Sequence, residues 1–173
     1  MNNETMNNET MDTPPVVKEF LAAHSTLTLA TVNAHGMPQS APLFFAEQDD
    51  GLLVFVSSAK SAHSLNVAAT GRAAATVHHE TWNWNEIAGV QMEGEVRLIA
   101  AGLEREKAWD VYTAKFPFVT EFEAEVSRSE FYRFVPTWLR WIDNRVQFGF
   151  RQEVALRPPQ PVTSGPGDQG NES

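Results

Sequence analysis

The 173-residue chain contains no cysteine. This excludes disulfides, thiolate nucleophiles and cysteine-ligated metals, and it fits a reducing compartment. Basic charge is also scarce, with 13 Lys and Arg against 22 Asp and Glu and a net charge of −9. The cations are scattered, so no stripe exists to track a phosphate backbone, and nucleic acid and anionic lipid are repelled. No apolar run approaches the ~20 residues of a membrane-spanning helix. No basic stretch followed by an apolar one opens the chain, so no signal peptide is visible and a cytoplasmic location is expected. The glycine spacing of a P-loop or dinucleotide fold is missing, as are a His-Glu-x-x-His pattern and a carboxylate cluster. No metal site is expected.

What is present begins with a polar duplication. Met1-Asn-Asn-Glu-Thr5 recurs as Met6-Asn-Asn-Glu-Thr10. Such residues cannot bury apolar area, so residues 1–13 are expected to be a disordered tail. Pro158 to Ser173, rich in Pro, Gly and Ser, is expected to be another. The folded domain is then 14–157, a size that buries roughly 68–70% of its unfolded surface.

Within it, Val16 to His24 reads as a short helix with Val17, Phe20 and Leu21 on one face. Thr26 to Val32 alternates and is β-rich, so it reads as a strand. Asn33 to Gly36 is a turn, and Met37 to Ala46 completes a hairpin, in which Pro38 and Pro42 demand an edge or a bulge. Leu52 to Ser57 is a third strand. Ser58 to Gly71 reads as a helix capped by Ser58, with Ala62, Leu65 and Ala69 on its packing face and Gly71 ending it. Arg72 to Glu80 and Ile87 to Ala100 are strands joined by the loop Thr81 to Asn85. Leu103 to Phe116 is a helix stopped by Pro117, with Leu103, Trp109, Tyr112 and Phe116 on its apolar face. Glu121, Glu123 and Glu125 alternate with apolar residues, as in an extended segment with a solvated face. Phe131 to Pro136 is a strand, and Trp138 to Ile142 with Val146 to Phe150 forms a closing hairpin around Asp143-Asn144. Six or seven short antiparallel strands point to a mainly β fold, a closed barrel flanked or plugged by helices.

Three segments could carry chemistry. Where the third strand enters the helix, Val56, Ser57, Ser58, Lys60, Ser61 and His63 gather around free backbone N–H groups, a setting for an anion such as phosphate. A capped surface helix fits the same residues. The strand Ser40-Ala41-Pro42-Leu43 presents small side chains and open backbone groups against which a flat ring could lie, although an irregular edge strand reads the same way. Trp82 and Trp84 could wall a ring pocket or simply form core or interface, and Gln91 could bond a heterocycle or face solvent. His78 and His79 point to opposite faces and cannot share a metal. His35 sits in a turn, and His24 ends the first helix. No acid, base or nucleophile constellation stands out, so catalytic residues are unknown and any reaction would fall to a cofactor.

Thr28 to Val32, Gly36-x-Pro-x-Ser40, Leu53-Val-Phe-Val-Ser-Ser58 and Ser61-x-His63 resemble the pyridoxamine 5'-phosphate oxidase-like FMN-binding split barrels. Trp84-Asn-Glu-Ile-Ala-Gly-Val-Gln-Met-Glu-Gly-Glu-Val96 and Asp143-Asn144 with Phe148-Gly149 resemble the uncharacterised YhbP-like branch. The resemblance spans about residues 16–156. It implies a six-stranded antiparallel split barrel that forms a homodimer with FMN at the subunit interface. It places the flavin phosphate at Ser57, Ser58, Ser61 and His63, the ring along Ser40 to Leu43, and Gln91, Trp84 and Trp138 as candidate neighbours of the ring. The implied function is an FMN-dependent oxidoreductase acting on a small molecule or electron donor; the alternative is a non-catalytic module binding FMN, haem or deazaflavin. The oxidases proper carry an Arg-Lys pair where this chain has Ala62-His63, with Lys60 or Arg72 as substitute cations, and their C-terminal substrate-binding segment is not evident. Pyridoxamine-phosphate oxidation itself is therefore not expected.

Overall fold

The computed structural model describes residues 12–48 and 51–156. The two expected tails lie outside these residues, apart from Asp12 and Thr13. In chain order the elements are α1 (Pro15–Ala22), β1 (Thr26–Val32), β2 (Pro38–Glu47), β3 (Leu53–Ser57), α2 (Ala62–Thr70), β4 (Arg72–His78) and a 3-10 turn (Trp84–Glu86). There follow β5 (Ala88–Leu98), α3 (Leu103–Lys115), a second 3-10 segment (Pro117–Phe122), α4 (Glu123–Val126), β6 (Glu130–Asp143) and β7 (Arg151–Ala155).

The strands hydrogen-bond in the order β3-β2-β1-β4-β5-β6-β7, and β3 also pairs with β6. The chain thus folds as a mainly β, closed, six-stranded antiparallel barrel, with β7 continuing the ladder beyond β6 and helices flanking it. Closure removes the edges that short strands would otherwise expose.

Alternation decides what lies inside. Leu27 and Leu29 of β1, Ala75 and Val77 of β4, Val90 and Met92 of β5, and Leu139 and Trp141 of β6 fill the interior. Val17 and Leu21 of α1 are buried in the same cluster, so α1 plugs the barrel. A second cluster lies outside the wall, where Ala108, Tyr112 and Phe116 of α3 cover Val54 and Phe131. β3 is therefore buried on both faces, Leu53 and Phe55 inward and Val54 outward. This is why it reads as an unbroken apolar run.

Several expectations need correction. The stretch expected as two strands around Pro136 is one 14-residue strand, β6. Its register against β5 shifts between Glu93 and Gly94, so that Gly94 faces Pro136 while Glu93 faces Trp138. Thr137 is the extra residue of a bulge, the one kind of sheet position that tolerates an adjacent proline. The bulge flips the phase of β6: Phe134 points inward before it, Leu139 and Trp141 after it. β6 then pairs with Arg151–Ala155, not with Val146 to Phe150, because Asp143 and Asn144 tie that stretch into a longer turn through Asp143 Oδ1 with Arg145 and Asn144 Oδ1 with Gly149 N. Residues 117–126 are helical, not extended. Leu103 is exposed, while Trp109, Tyr112 and Phe116, the last just beyond α3, pack as expected and are joined by Ala108. His24 lies beyond α1, its Nδ1 2.6 Å from Phe20 O. The prolines of β2 do occupy an edge, since β2 pairs with β3 only from Phe45 to Glu47.

Candidate functional site

β2 and β3 part company at one point. Their ladder runs from Glu47↔Leu53 to Phe45↔Phe55. Two residues further along, Leu43 would face Ser57, but no pairing forms. β2 continues along β1 as far as Pro38 with its other edge free, while β3 ends and the chain turns into α2. The result is a fork with the backbone of Ser40 to Leu43 on one side and the start of α2 on the other. Register alone brings together the first two segments singled out in the sequence.

The α2 side of the fork is a hydroxyl–imidazole cluster. Ser57 Oγ lies 2.6 Å from His63 Nε2 and 3.1 Å from Ser61 Oγ, and Ser61 Oγ lies 3.0 Å from His63 Nε2. The Ser61 hydroxyl donates to Ser64 Oγ at 2.8 Å and accepts from Ser64 N. With the proton on Nε2, the donors run in one direction: imidazole to Ser57, Ser57 to Ser61, Ser61 to Ser64. The N-cap is thus Ser61, not Ser58. Ser58 is exposed and accepts instead from Lys60 N at 3.2 Å. The packing face of α2 is Ser64, Asn66 and Val67, with Leu65 exposed. The expected Ala62/Leu65/Ala69 stripe fails because this helix caps a polar fork, where Asn66 Nδ2 donates to Thr31 Oγ1 and Gln39 Oε1 at 3.0 Å each.

Electrostatics at the fork are close to neutral. Burial lowers the His63 pKa below its ordinary 6.5, so the ring is uncharged at neutral pH. Glu130, opposite Ser57 on β6, is paired with Arg105 at 3.1 Å. Lys60 is exposed beside the helix start. Arg72 follows the C-terminal end of nine-residue α2, about 14 Å from Ser61 along the helix axis, and cannot serve as the second cation. Val56 packs toward the α3 cluster, so only its backbone is available to the fork.

The outward face of the barrel carries the rest. Register aligns Pro42, Thr28, Thr76, Gln91, Arg140 and Glu153 in one transverse row. The adjacent row contains Ser40, Ala30, Ala74 and Glu93. Small side chains make this face flat, and a cleft of about 720 Å³ opens over Ala30, Ala74, Val32 and Pro38, rimmed by Arg72, Glu93 and Glu95. Ser40 and Pro42 face outward with it, while Leu43 packs against the core.

Gln91 is three strands from Pro42, about 14 Å at ordinary strand spacing, so one chain does not bring it to the fork. Trp84 lies in its 3-10 turn, 71% exposed against Phe148 at 6.3 Å between ring centroids. Trp82 is 99% exposed and does not share a wall with it. Sequence reading misses Ser64, Thr28, Thr76 and Arg140. Ser64 lies three residues after the cap, where a capping partner is expected; the others share a row only through register. Among the described residues no group of His, Asp and Glu could hold a metal ion, and no helix is long and apolar enough to cross a membrane.

The comparisons agree with this architecture. The chain is 27% identical over 140 residues to the UPF0306 protein of Enterobacter sp. strain 638, covering 80% of this chain and 94% of that one. A heme binding protein from Mycobacterium smegmatis superposes with a TM-score of 0.67 at 19% identity, over 84% of this chain and 60% of the other. A FAD-binding protein from Mesorhizobium loti superposes at 0.60 and 16% identity, over 75% and 94%. Residues 13–142 match the model of the pyridoxamine 5'-phosphate oxidase family, and with most of its folded length matched, the chain belongs to that family.

Proposed function

We propose that this protein binds FMN at the β2/β3 fork and works as a homodimeric flavin-dependent oxidoreductase on a small-molecule partner. The observation that carries the reading is the fork itself. Three hydroxyls, an imidazole and the free N–H groups of a capped helix start stand opposite an unpaired strand edge. Helix N-termini favour anions through those N–H groups and the helix dipole, which suits a phosphate on Ser57, Ser58, Lys60, Ser61 and His63. The unpaired edge of Ser40 to Leu43 offers backbone donors and acceptors to the rim of a flat ring.

The 14 Å gap is what supports the homodimer. Gln91 and Trp84 can join the fork only from a second copy, and the flat outward face with its cleft is the surface on which such a copy fits. When bound, a flavin supplies the electron or hydride transfer, for which no catalytic constellation stands out among the described residues. The protein's part is to hold the phosphate, fix the ring and exclude water from it.

The test is the visible spectrum of the purified protein, followed by FMN titration with flavin fluorescence as readout, in parallel with light scattering for mass. Saturable binding that weakens at least tenfold in Ser57→Ala/His63→Ala, by a dimer, is the expected result. A monomer that ignores FMN refutes the reading. Haem is the second reading, favoured by one placement: register puts His78 on the outward face, one pair along from Thr76, where an imidazole is free to serve as axial ligand. A Soret band that appears with hemin and is lost in His78→Ala would select it.

A further inference from the structure

We propose that Arg140 is a positioning residue that turns the Gln91 side-chain amide so that only its NH2 group faces the ligand, which selects for a ligand edge that accepts hydrogen bonds.

Gln91 and Arg140 face each other across β5 and β6, with Arg140 Nη1 3.3 Å from Gln91 Oε1. A guanidinium has five N–H donors and no acceptor. The amide atom that meets it is therefore the oxygen. Arg140 is itself fixed. Its Nε donates to Glu153 Oε1 at 2.9 Å, its Nη2 lies 2.8 Å from the same oxygen, and its guanidinium carbon sits 5.1 Å from the centre of the Trp138 ring.

The bulge at Gly94 sets this arrangement, because it puts Trp138 and Arg140 outward in phase with Gln91. The amide nitrogen of Gln91 has no partner among the described residues, so both of its hydrogens remain to be given. Its outward neighbours in the row are Thr76 and Thr28, short enough to leave a flat ligand in reach. Held this way, Gln91 rejects an N–H edge and accepts a carbonyl or an unprotonated ring nitrogen. A Gln free to rotate would take either.

This rests on the flavin reading, since the oxidised flavin ring carries acceptors of the required kind in its two carbonyls and its unprotonated N1 and N5, with one N–H donor between the carbonyls. Two measurements separate the layers. The first needs no ligand: the Gln91 side-chain amide signals in 15N–1H spectra of the full chain, identified by their loss in Gln91→Leu. They are expected to move to free-glutamine positions in Arg140→Met and to be partly restored in Arg140→Lys. The second is FMN titration. Arg140→Met is expected to weaken FMN about 2- to 10-fold, the worth of one net hydrogen bond, and to shift the flavin bands. Gln91→Glu, which offers only acceptors, weakens it more. Glu153→Gln, which leaves the Arg140–Gln91 bond, changes it less than either.

Unchanged amide signals in Arg140→Met overturn the orienting role. Wild-type FMN affinity and bands in both Arg140→Met and Gln91→Glu overturn the contact with the ligand. If the wild type takes up no FMN, the flavin reading and the ligand half of this inference fall together, while the amide signals still decide whether Arg140 orients Gln91.

Discussion

Gly94→Ala tests the element on which both the barrel and the Gln91 site depend. A Cβ added at Gly94 would lie 2.2 Å from the carbonyl oxygen of Val135 and 2.9 Å from both Val135 C and Pro136 Cα, inside the 3.0 Å that Cβ atoms respect. All three are backbone atoms, so no rotamer change relieves the contact; β5 and β6 must separate. Overpacking costs about 1–3 kcal/mol where side chains can yield, and the rigid neighbours here put the cost at the upper end, about 3 kcal/mol. For a domain of this size each kcal/mol lowers the melting temperature by about 2–4 °C, so a fall of about 6–12 °C by circular dichroism is expected. Gly71→Ala provides the contrast. That glycine has φ +67° with nothing within 4 Å of the added carbon, so only the left-handed backbone penalty of about 1–2 kcal/mol applies. A Gly94→Ala protein melting within 2 °C of wild type, or above Gly71→Ala, would refute the assignment of the bulge as a close backbone approach.

Four further outcomes are expected. Ser61→Ala removes the α2 cap and is expected to cost about 1 kcal/mol, read as a 2–4 °C loss of melting temperature, together with weaker FMN or phosphate binding; Ser61→Thr should keep the cap. His63 titrates below its ordinary value because burial disfavours its charged form. The unfolded chain therefore takes up the proton first, and stability is constant above pH 6.5 but falls as pH drops from 6.5 toward the folded value; His63→Gln should remove that component of urea unfolding measured at pH 7.5 and 5.5. A bound phosphate favours the charged ring, so phosphate affinity should rise as pH falls from 8 to 6 in the wild type and respond less in His63→Gln. Lys115 Nζ reaches the Glu47 carboxylate at 2.5 Å and Leu21 O at 3.3 Å, and lies 4.3 Å from the centre of the Phe45 ring. Lys115→Met leaves that half-buried carboxylate unpaired, at a cost of about 1–3 kcal/mol, and Glu47→Gln in the same chain should recover part of it.

The barrel is largely legible in the sequence because its signals are local. Thr26–Val32 is bounded by its own alternation, and Gly71 ends α2 in the left-handed conformation at φ 67°. What cannot be read locally is register. Pro136 looks like a strand terminator until a bulge at the next residue, Thr137, supplies the one place a sheet tolerates it, and the close approach that goes with that bulge is made by Gly94 on the neighbouring strand, more than forty residues away. Residues 117–126 mislead for a related reason: the alternation of Glu121 to Val126 fits a strand, but the segment pairs with no strand and closes into short helical turns.

The candidate site divides along the same line. Ser57, Ser61 and His63 are close in sequence, so a strand end running into a helix start is enough to suggest their cluster. That Ser61 rather than Ser58 caps the helix depends on where β3 stops pairing, which is a tertiary fact. The Ser40 to Leu43 edge joins the cluster only because β2 leaves β3 at Phe45, and Arg140 joins Gln91 only because a bulge shifts β6 by one residue. Each of these is a one-residue decision of register, and a shift of one residue moves a side chain to the opposite face. The same reasoning accounts for where Gln91 stands. Gln91 shares a transverse row with Pro42 of the fork but stands three strands away, about 14 Å, a distance no rotamer spans and one that, in the dimer proposed above, a two-fold operation on that face would close.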